Sequence, residues 1–162
     1  MAETKDVIVS RTFDAPLDKV WALWTDAEMV KQWWGPQYFT APTVRMDFTV
    51  GGEFALCMHG AAGPGMPESD YWNAGTYKEI EPMKRIVQEM TFADADGKPV
   101  PASYYHMPGD WPDTQTVTTV FEEVEPGKTK VTVTETGIPA GMGEGAGMGW
   151  QQQFDKIVGL LA

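Results

Sequence analysis

The sequence predicts a single α+β domain over residues 1–162: a curved antiparallel sheet of about six or seven strands wrapped around a long C-terminal helix, with two short helices after strand 1. Three observations predict it. Segments of period two, separated by Gly/Pro turns, fill the middle of the chain. Two short stretches with tryptophans at helical spacing follow the first such segment. The chain closes on an apolar helical stripe. Each amphipathic element needs a partner for its apolar face, and a sheet curved around one helix satisfies all of them.

Asp6 to Phe13 alternates, with Val7, Val9, Arg11 and Phe13 on one face, and reads as a strand. Asp14-Ala15-Pro16 stops it, and Asp14 is placed to cap the helix that follows. Leu17, Val20, Trp21 and Trp24 share one helical face. Thr25-Asp26 opens a second helix through Trp33 and Trp34, which Gly35-Pro36 ends. Strands return over Val44 to Val50 and Glu53 to His59, joined by a tight turn at Gly51-Gly52. A Gly/Pro-rich loop spans 60–69, and Tyr71 to Ile80 and Arg85 to Phe92 are two further strands. Asp94 to Asp113 is irregular but aromatic, the pattern of a lid or binding loop. Thr114 to Val124 and Thr129 to Thr136 form a hairpin around Glu125-Pro126-Gly127-Lys128. A Gly/Met-rich segment then leads to a closing helix over Trp150 to Leu161, whose apolar face holds Trp150, Phe154, Ile157, Val158 and Leu161.

Hydrophobic residues make up 43% of the 162, enough for a packed core. The formal charge of −11 disfavours nucleic acid and anionic membrane surfaces as partners. No apolar run is long enough for membrane insertion. The one cysteine, Cys57, excludes an internal disulfide. Together with an opening that lacks the apolar stretch of a signal peptide, it points to the cytoplasm.

The ordered set Arg11-Thr-Phe-Asp-Ala-Pro-x-x-x-Val20-Trp21, Trp24-Thr25-Asp26, Trp33-Trp34-Gly35-Pro36 and Gly51-Gly52-x-Phe54 resembles the activator of 90-kDa heat-shock protein ATPase homologue family, a branch of the START-like (SRPBCC, polyketide cyclase-like) superfamily. Gly75-x-Tyr77-x-Glu79-Ile80-x-Pro82, Arg85-Ile86-Val87, Thr129-x-Val131-Thr132-Val133 and Gly149-Trp150 extend the likeness over nearly the whole chain. The resemblance implies a helix-grip (START-like) fold with a cavity between sheet and long helix. It does not imply one activity, because function lives in the site and not in the scaffold. The loops 60–70 and 94–113 look longer than in usual members, and both would border the cavity mouth.

No metal, phosphate or nucleophile motif is present, so neither a metal nor another cofactor is expected. His59 and His106 lack a second ligand at motif spacing, and Cys57 reads as a half-buried strand residue. Glu135 continues the inward face of Val131 and Val133, where a carboxylate would carry a raised pKa or a cationic partner; a solvated strand end would leave it ordinary. Glu89 carries the same ambiguity, whereas Glu53 and His59 fall on the solvent face of their strand. Trp34, Tyr38, Trp72, Tyr77, Tyr104 and Trp111 are the candidate cavity aromatics, and Met142, Met148 and Trp150 the candidate adaptable wall. Trp21, Trp24, Trp33 and Phe154 read as core.

The expected activity is binding of a small apolar or amphipathic molecule, oriented by Glu135 and covered by the 94–113 loop. An enzyme of cyclase, dehydratase or hydrolase type would use Glu135, His106 or Tyr104 as acid/base groups, which must then share a cavity. A chaperone-interacting module is disfavoured by the acidic surface, and a homodimer through an edge strand is compatible with each reading.

Overall fold

The computed structural model describes residues 3–61 and 64–162. Residues 62 and 63, within the loop expected over 60–69, lie outside that description. The elements run β1 (Thr4–Phe13), α1 (Leu17–Thr25), α2 (Ala27–Trp33), β2 (Thr40–Met46), β3 (Glu53–Ala61), β4 (Glu68–Glu81), β5 (Arg85–Ala93), a short 3-10 helix (Ala102–Tyr105), β6 (Gln115–Glu125), β7 (Lys128–Pro139) and α3 (Gly143–Leu161). All strands pair antiparallel in one seven-stranded sheet of order β1-β7-β6-β5-β4-β3-β2. Every neighbouring pair except β1–β7 is consecutive in the chain. The long excursion through α1 and α2 carries the chain from one edge of the sheet to the other.

The register sorts side chains onto two faces. Val9 stands opposite Val133, which stands opposite Thr119, and Phe13 and Val131 continue the same inner face. That face packs on α3 through Trp150, Gln153, Phe154 and Ile157, all buried. The ring of Phe154 meets Phe13 edge-on at 5.7 Å. Trp21 and Trp24 meet Phe121 edge-on at 5.0 and 5.3 Å, which seats α1 on β6. The four residues read as core, Trp21, Trp24, Trp33 and Phe154, are buried.

The outer face differs from its expectation. Glu53 is exposed and His59 half-exposed, as their strand alternation predicts. Between them, however, Ala55 and Cys57 join Trp72, Ala74 and Ala93 in a second buried cluster. Its cover is Arg45, stacked over the Trp72 ring at 5.0 Å, and the chain that follows Ala93. Burial pushes the Cys57 thiol up to about 11, so it is a packing residue with no thiolate character near neutrality.

Several boundaries and one cap differ from expectation. The strand expected over Val44 to Val50 runs from Thr40 to Met46, because the chain turns from Asp47 to Gly52. Gly51 there has φ of +84°, and a Cβ on Gly52 would stand 2.1 Å from the Asp47 carbonyl oxygen. Asp14 does not cap α1; it pairs with Lys128, and Pro16 occupies the cap position. Asp26 does cap α2, accepting from the Glu28 N–H at 3.0 Å. The closing helix begins at Gly143, not at Trp150, so the Gly/Met-rich approach is its first two turns. Glycines cost a helix up to about 1 kcal/mol each; a Cβ on Gly143 or Gly147 would reach Val7 or Val9 at 3.6 to 3.8 Å, ordinary contact that shows α3 lying against β1. Among the described residues no helix is long and apolar enough to cross a membrane.

Candidate functional site

The site expected between sheet and long helix starts from α2. Its last turn delivers Trp33 into the core, where the indole N–H donates to the Leu23 carbonyl at 2.8 Å. Trp34, one residue later, leaves the helix in extended conformation. Gly35 follows with φ of +96°, and a Cβ there would lie 2.9 Å from Cβ of Phe39. The loop so formed is stitched to α3 by side chains that meet backbone groups. Gln153 Oε1 accepts from the Gly35 N–H at 2.7 Å, and Gln152 Oε1 from the Gln37 N–H at 3.0 Å. Lys156 Nζ donates to the carbonyls of Gly35 and Phe39, both at 2.8 Å, and burial lowers its pKa.

Held this way, the Trp34 ring stands edge-on to Trp150 at 6.1 Å. Trp34, Leu56, Tyr77, Gln88, Met90 and Trp150 line a cavity of about 20 Å³. That volume admits about one water. The Trp34 Nε1–H is buried in its wall and has no hydrogen-bond partner among the described residues. Tyr77 is 3% exposed, and burial together with the Asp47 charge pushes its phenol upward.

Glu135 faces inward on β7, opposite Val7 and Val117. Its Oε1 accepts from Trp150 Nε1–H at 3.1 Å and its Oε2 from Gln115 Nε2 at 3.4 Å. Burial raises its pKa, and the two hydrogen bonds hold it partly back. No lysine or arginine pairs with it among the described residues. Of the two outcomes expected for an inward carboxylate, the raised pKa is the one realised. Glu89, by contrast, points outward and pairs with Lys78 at 3.9 Å.

The other candidates separate into three places. Trp111 packs against the edge of the inner core and on Phe92 at 5.3 Å, and Met142 joins the same rim. Trp72, Tyr104 and His106 come together, but in a different cleft at the end of β4, with Tyr105, Tyr71 and Asp70. Tyr38 and Met148, 84% and 57% exposed, face solvent and line neither space. The reason is the path of 94–113. Instead of closing over the inner cavity, it first folds back on the outer face through the pairing of Ala93 with Pro99. Only at Gly109 to Trp111 does it reach the inner rim beside Pro139 and Met142. An acid/base set of Glu135, Tyr104 and His106 therefore does not assemble, since the latter two share no cavity with Glu135.

Sequence reasoning missed Gln88, Gln115 and the Gln152–Gln153–Lys156 clamp. Gln88 and Gln115 sit at inward positions of β5 and β6, a signal the strand alternation contained. The clamp had none, because its partners are backbone groups distant in the chain. Among the described residues no three His, Cys, Asp or Glu side chains form a metal-binding group.

No curated protein matches the chain. Solved structures with the same fold include a Mycobacterium smegmatis protein (22% identity, 99% of this chain and 96% of that one, TM-score 0.77). An AHSA1 protein from Silicibacter pomeroyi (19%, 97% and 97%, 0.72) and a solution structure from Staphylococcus epidermidis (28%, 99% and 93%, 0.69) share it too. The family model described as Activator of Hsp90 ATPase homolog 1-like protein matches residues 14–162. The chain belongs to that family and has its α+β helix-grip, START-like fold.

Proposed function

We propose that this domain binds a small apolar or amphipathic molecule between the sheet and α3, in the cytoplasm. The observation that carries the reading is the Trp34 indole N–H, a buried donor in the wall of a cavity with no partner among the described residues. An unsatisfied buried donor costs about 1–3 kcal/mol, which a ligand acceptor would recover. The surrounding wall of Trp24, Trp33, Leu56, Met90 and Trp150 offers apolar surface at about 25 cal/mol per Å² buried.

The present cavity is too small for such a ligand, so binding requires the wall to open. Trp34, Met46 and Gln88 are its half-buried members, and Trp34 leads into the loop that Gln152, Gln153 and Lys156 grip. Opening there enlarges the cavity while Phe13, Phe154 and Ile157 remain packed. Glu135 fixes the far wall by accepting from Trp150.

The test is titration of the purified chain with the amphipathic dye anilinonaphthalene sulfonate, read by tryptophan quenching, beside native mass spectrometry for a co-purifying compound. Saturable binding is expected, and Trp34→Phe should weaken it about tenfold. The same substitution should leave thermal stability equal or higher, because it deletes an unsatisfied donor. Absence of both saturable binding and a co-purified compound would overturn the reading.

A further inference from the structure

The cleft that gathers Trp72, Tyr104 and His106 measures about 510 Å³, within the range of small-molecule sites, about 300–1,000 Å³. It is far larger than the inner cavity, and its walls are of a different kind. Tyr104 and Tyr105 form a corner, their rings 4.9 Å apart at 84°. Tyr71 closes the third side, 5.3 Å from Tyr105. Tyr105 is fixed: its hydroxyl accepts from the Trp72 N–H at 3.1 Å and donates to the Ala93 carbonyl, so the ring is anchored across the ends of β4 and β5. Tyr104, 56% exposed, presents its ring to the open side.

The charges complete the pattern. Asp70 lies in the wall, half-exposed, with Oδ1 against His59 Nδ1 at 2.7 Å, and Glu68 flanks the same histidine at 3.4 Å. No lysine or arginine lines the cleft among the described residues. The chain carries −11 overall, which enriches cations near its surface. Aromatic faces and carboxylates recognise positive charge, since ring quadrupoles are negative on their faces; Asp70 keeps its His59 partner, and a bound cation would share that carboxylate. The chain already uses this chemistry next door, where the Arg45 guanidinium stacks over Trp72.

We propose that this cleft is a binding site for a small organic cation of the quaternary-ammonium class, held by Tyr71, Tyr104 and Tyr105 with Asp70 as counter-charge. The site is independent of the inner cavity, and each stands or falls without the other.

Calorimetric titration of the full chain with choline chloride at low ionic strength tests it, with neutral dimethylbutanol as the isosteric control. Saturable choline binding on the order of millimolar is expected, with the alcohol about tenfold weaker. Tyr104→Ala and Asp70→Asn should each weaken choline about tenfold, while Tyr104→Phe should stay within about twofold. Tyr104 is exposed, so thermal melts should show these variants folded. If Tyr104→Ala does not fold, the Tyr104→Phe and Asp70→Asn pair carries the same distinction. No saturation, equal binding of the alcohol, or indifference of choline to both Tyr104→Ala and Asp70→Asn would overturn the proposal.

Discussion

The two faces of the sheet solve the same burial problem by different means. On the inner face, α3 lays Trp150, Phe154 and Ile157 onto strands whose inward residues are mostly apolar, with Thr119, Gln88, Gln115 and Glu135 among them, and space shrinks to about 20 Å³. On the outer face, small residues at Ala55, Cys57, Ala74 and Ala93 surround one large ring, Trp72. Their cover is an irregular segment tied by single hydrogen bonds, and clefts of about 510 Å³ remain. Regular secondary structure packs continuously because its side chains repeat at fixed spacing. A loop cannot repeat, so it leaves concavities. The clefts bordered by the irregular 94–113 segment are thus far larger than the space enclosed between sheet and α3.

The contrast would break first at Phe154, the fully buried ring that joins α3 to Phe13. Phe154→Ala should cost about 3–5 kcal/mol, measured by urea unfolding. A loss well under that range would mean that the inner face is looser than its burial indicates. The outer face should yield less. Tyr105→Phe deletes the hydroxyl between Trp72 and Ala93 and leaves both backbone groups short of a partner, a cost of about 1–2 kcal/mol. Hydrogen exchange should quicken at Trp72 and stay unchanged at Val133. Uniform quickening would show that the two faces unfold as one unit.

The same contrast explains how much could be read from the sequence. The inner face was legible because Val7, Val9 and Phe13, or Val131, Val133 and Glu135, announce their side by alternation. The aromatic run Tyr104-Tyr105-His106 announced an ordered lid or binding loop, expected over the inner cavity. Which face received it was decided by the pairing of Ala93 with Pro99 and by the hydroxyl of Tyr105, and neither has a periodic signature. The start of α3 was illegible for another reason. Four glycines between Gly143 and Gly149 argue against helix by propensity, and packing against β1 prevails over that preference.

A pH-restricted effect separates Glu135 from the surface carboxylates. Its folded pKa is raised by burial, so the protonated form is favoured in the native state. Any stability this confers is complete below the unfolded carboxylate pKa, about 4.3, and is lost as pH rises through the higher folded value. Glu135→Gln removes that dependence. The melting temperature of the variant relative to wild type should therefore climb as pH rises above the unfolded carboxylate value and level off above the folded pKa. A difference that ignores pH would show the carboxylate to be solvated.

The smallest expected effect lies within α3 and tests whether close approach explains its glycines. A Cβ on Gly147 would meet Val9 at 3.7 Å and Val7 at 3.8 Å, ordinary contact with the inner face, whereas one on Gly145 meets nothing within 4 Å. Gly145→Ala should therefore gain the helix propensity alone, about 0.5–1 kcal/mol. Gly147→Ala should gain that and a little apolar burial, provided the helix need not move. Equal or larger stabilisation at Gly147 would mean that β1 accepts the methyl and that close packing is not what keeps glycine there. Destabilisation at Gly147 with stabilisation at Gly145 would locate the constraint on the sheet side of the helix. In that case the glycines are spacing residues, and the first turns of α3 are helical because β1 holds them.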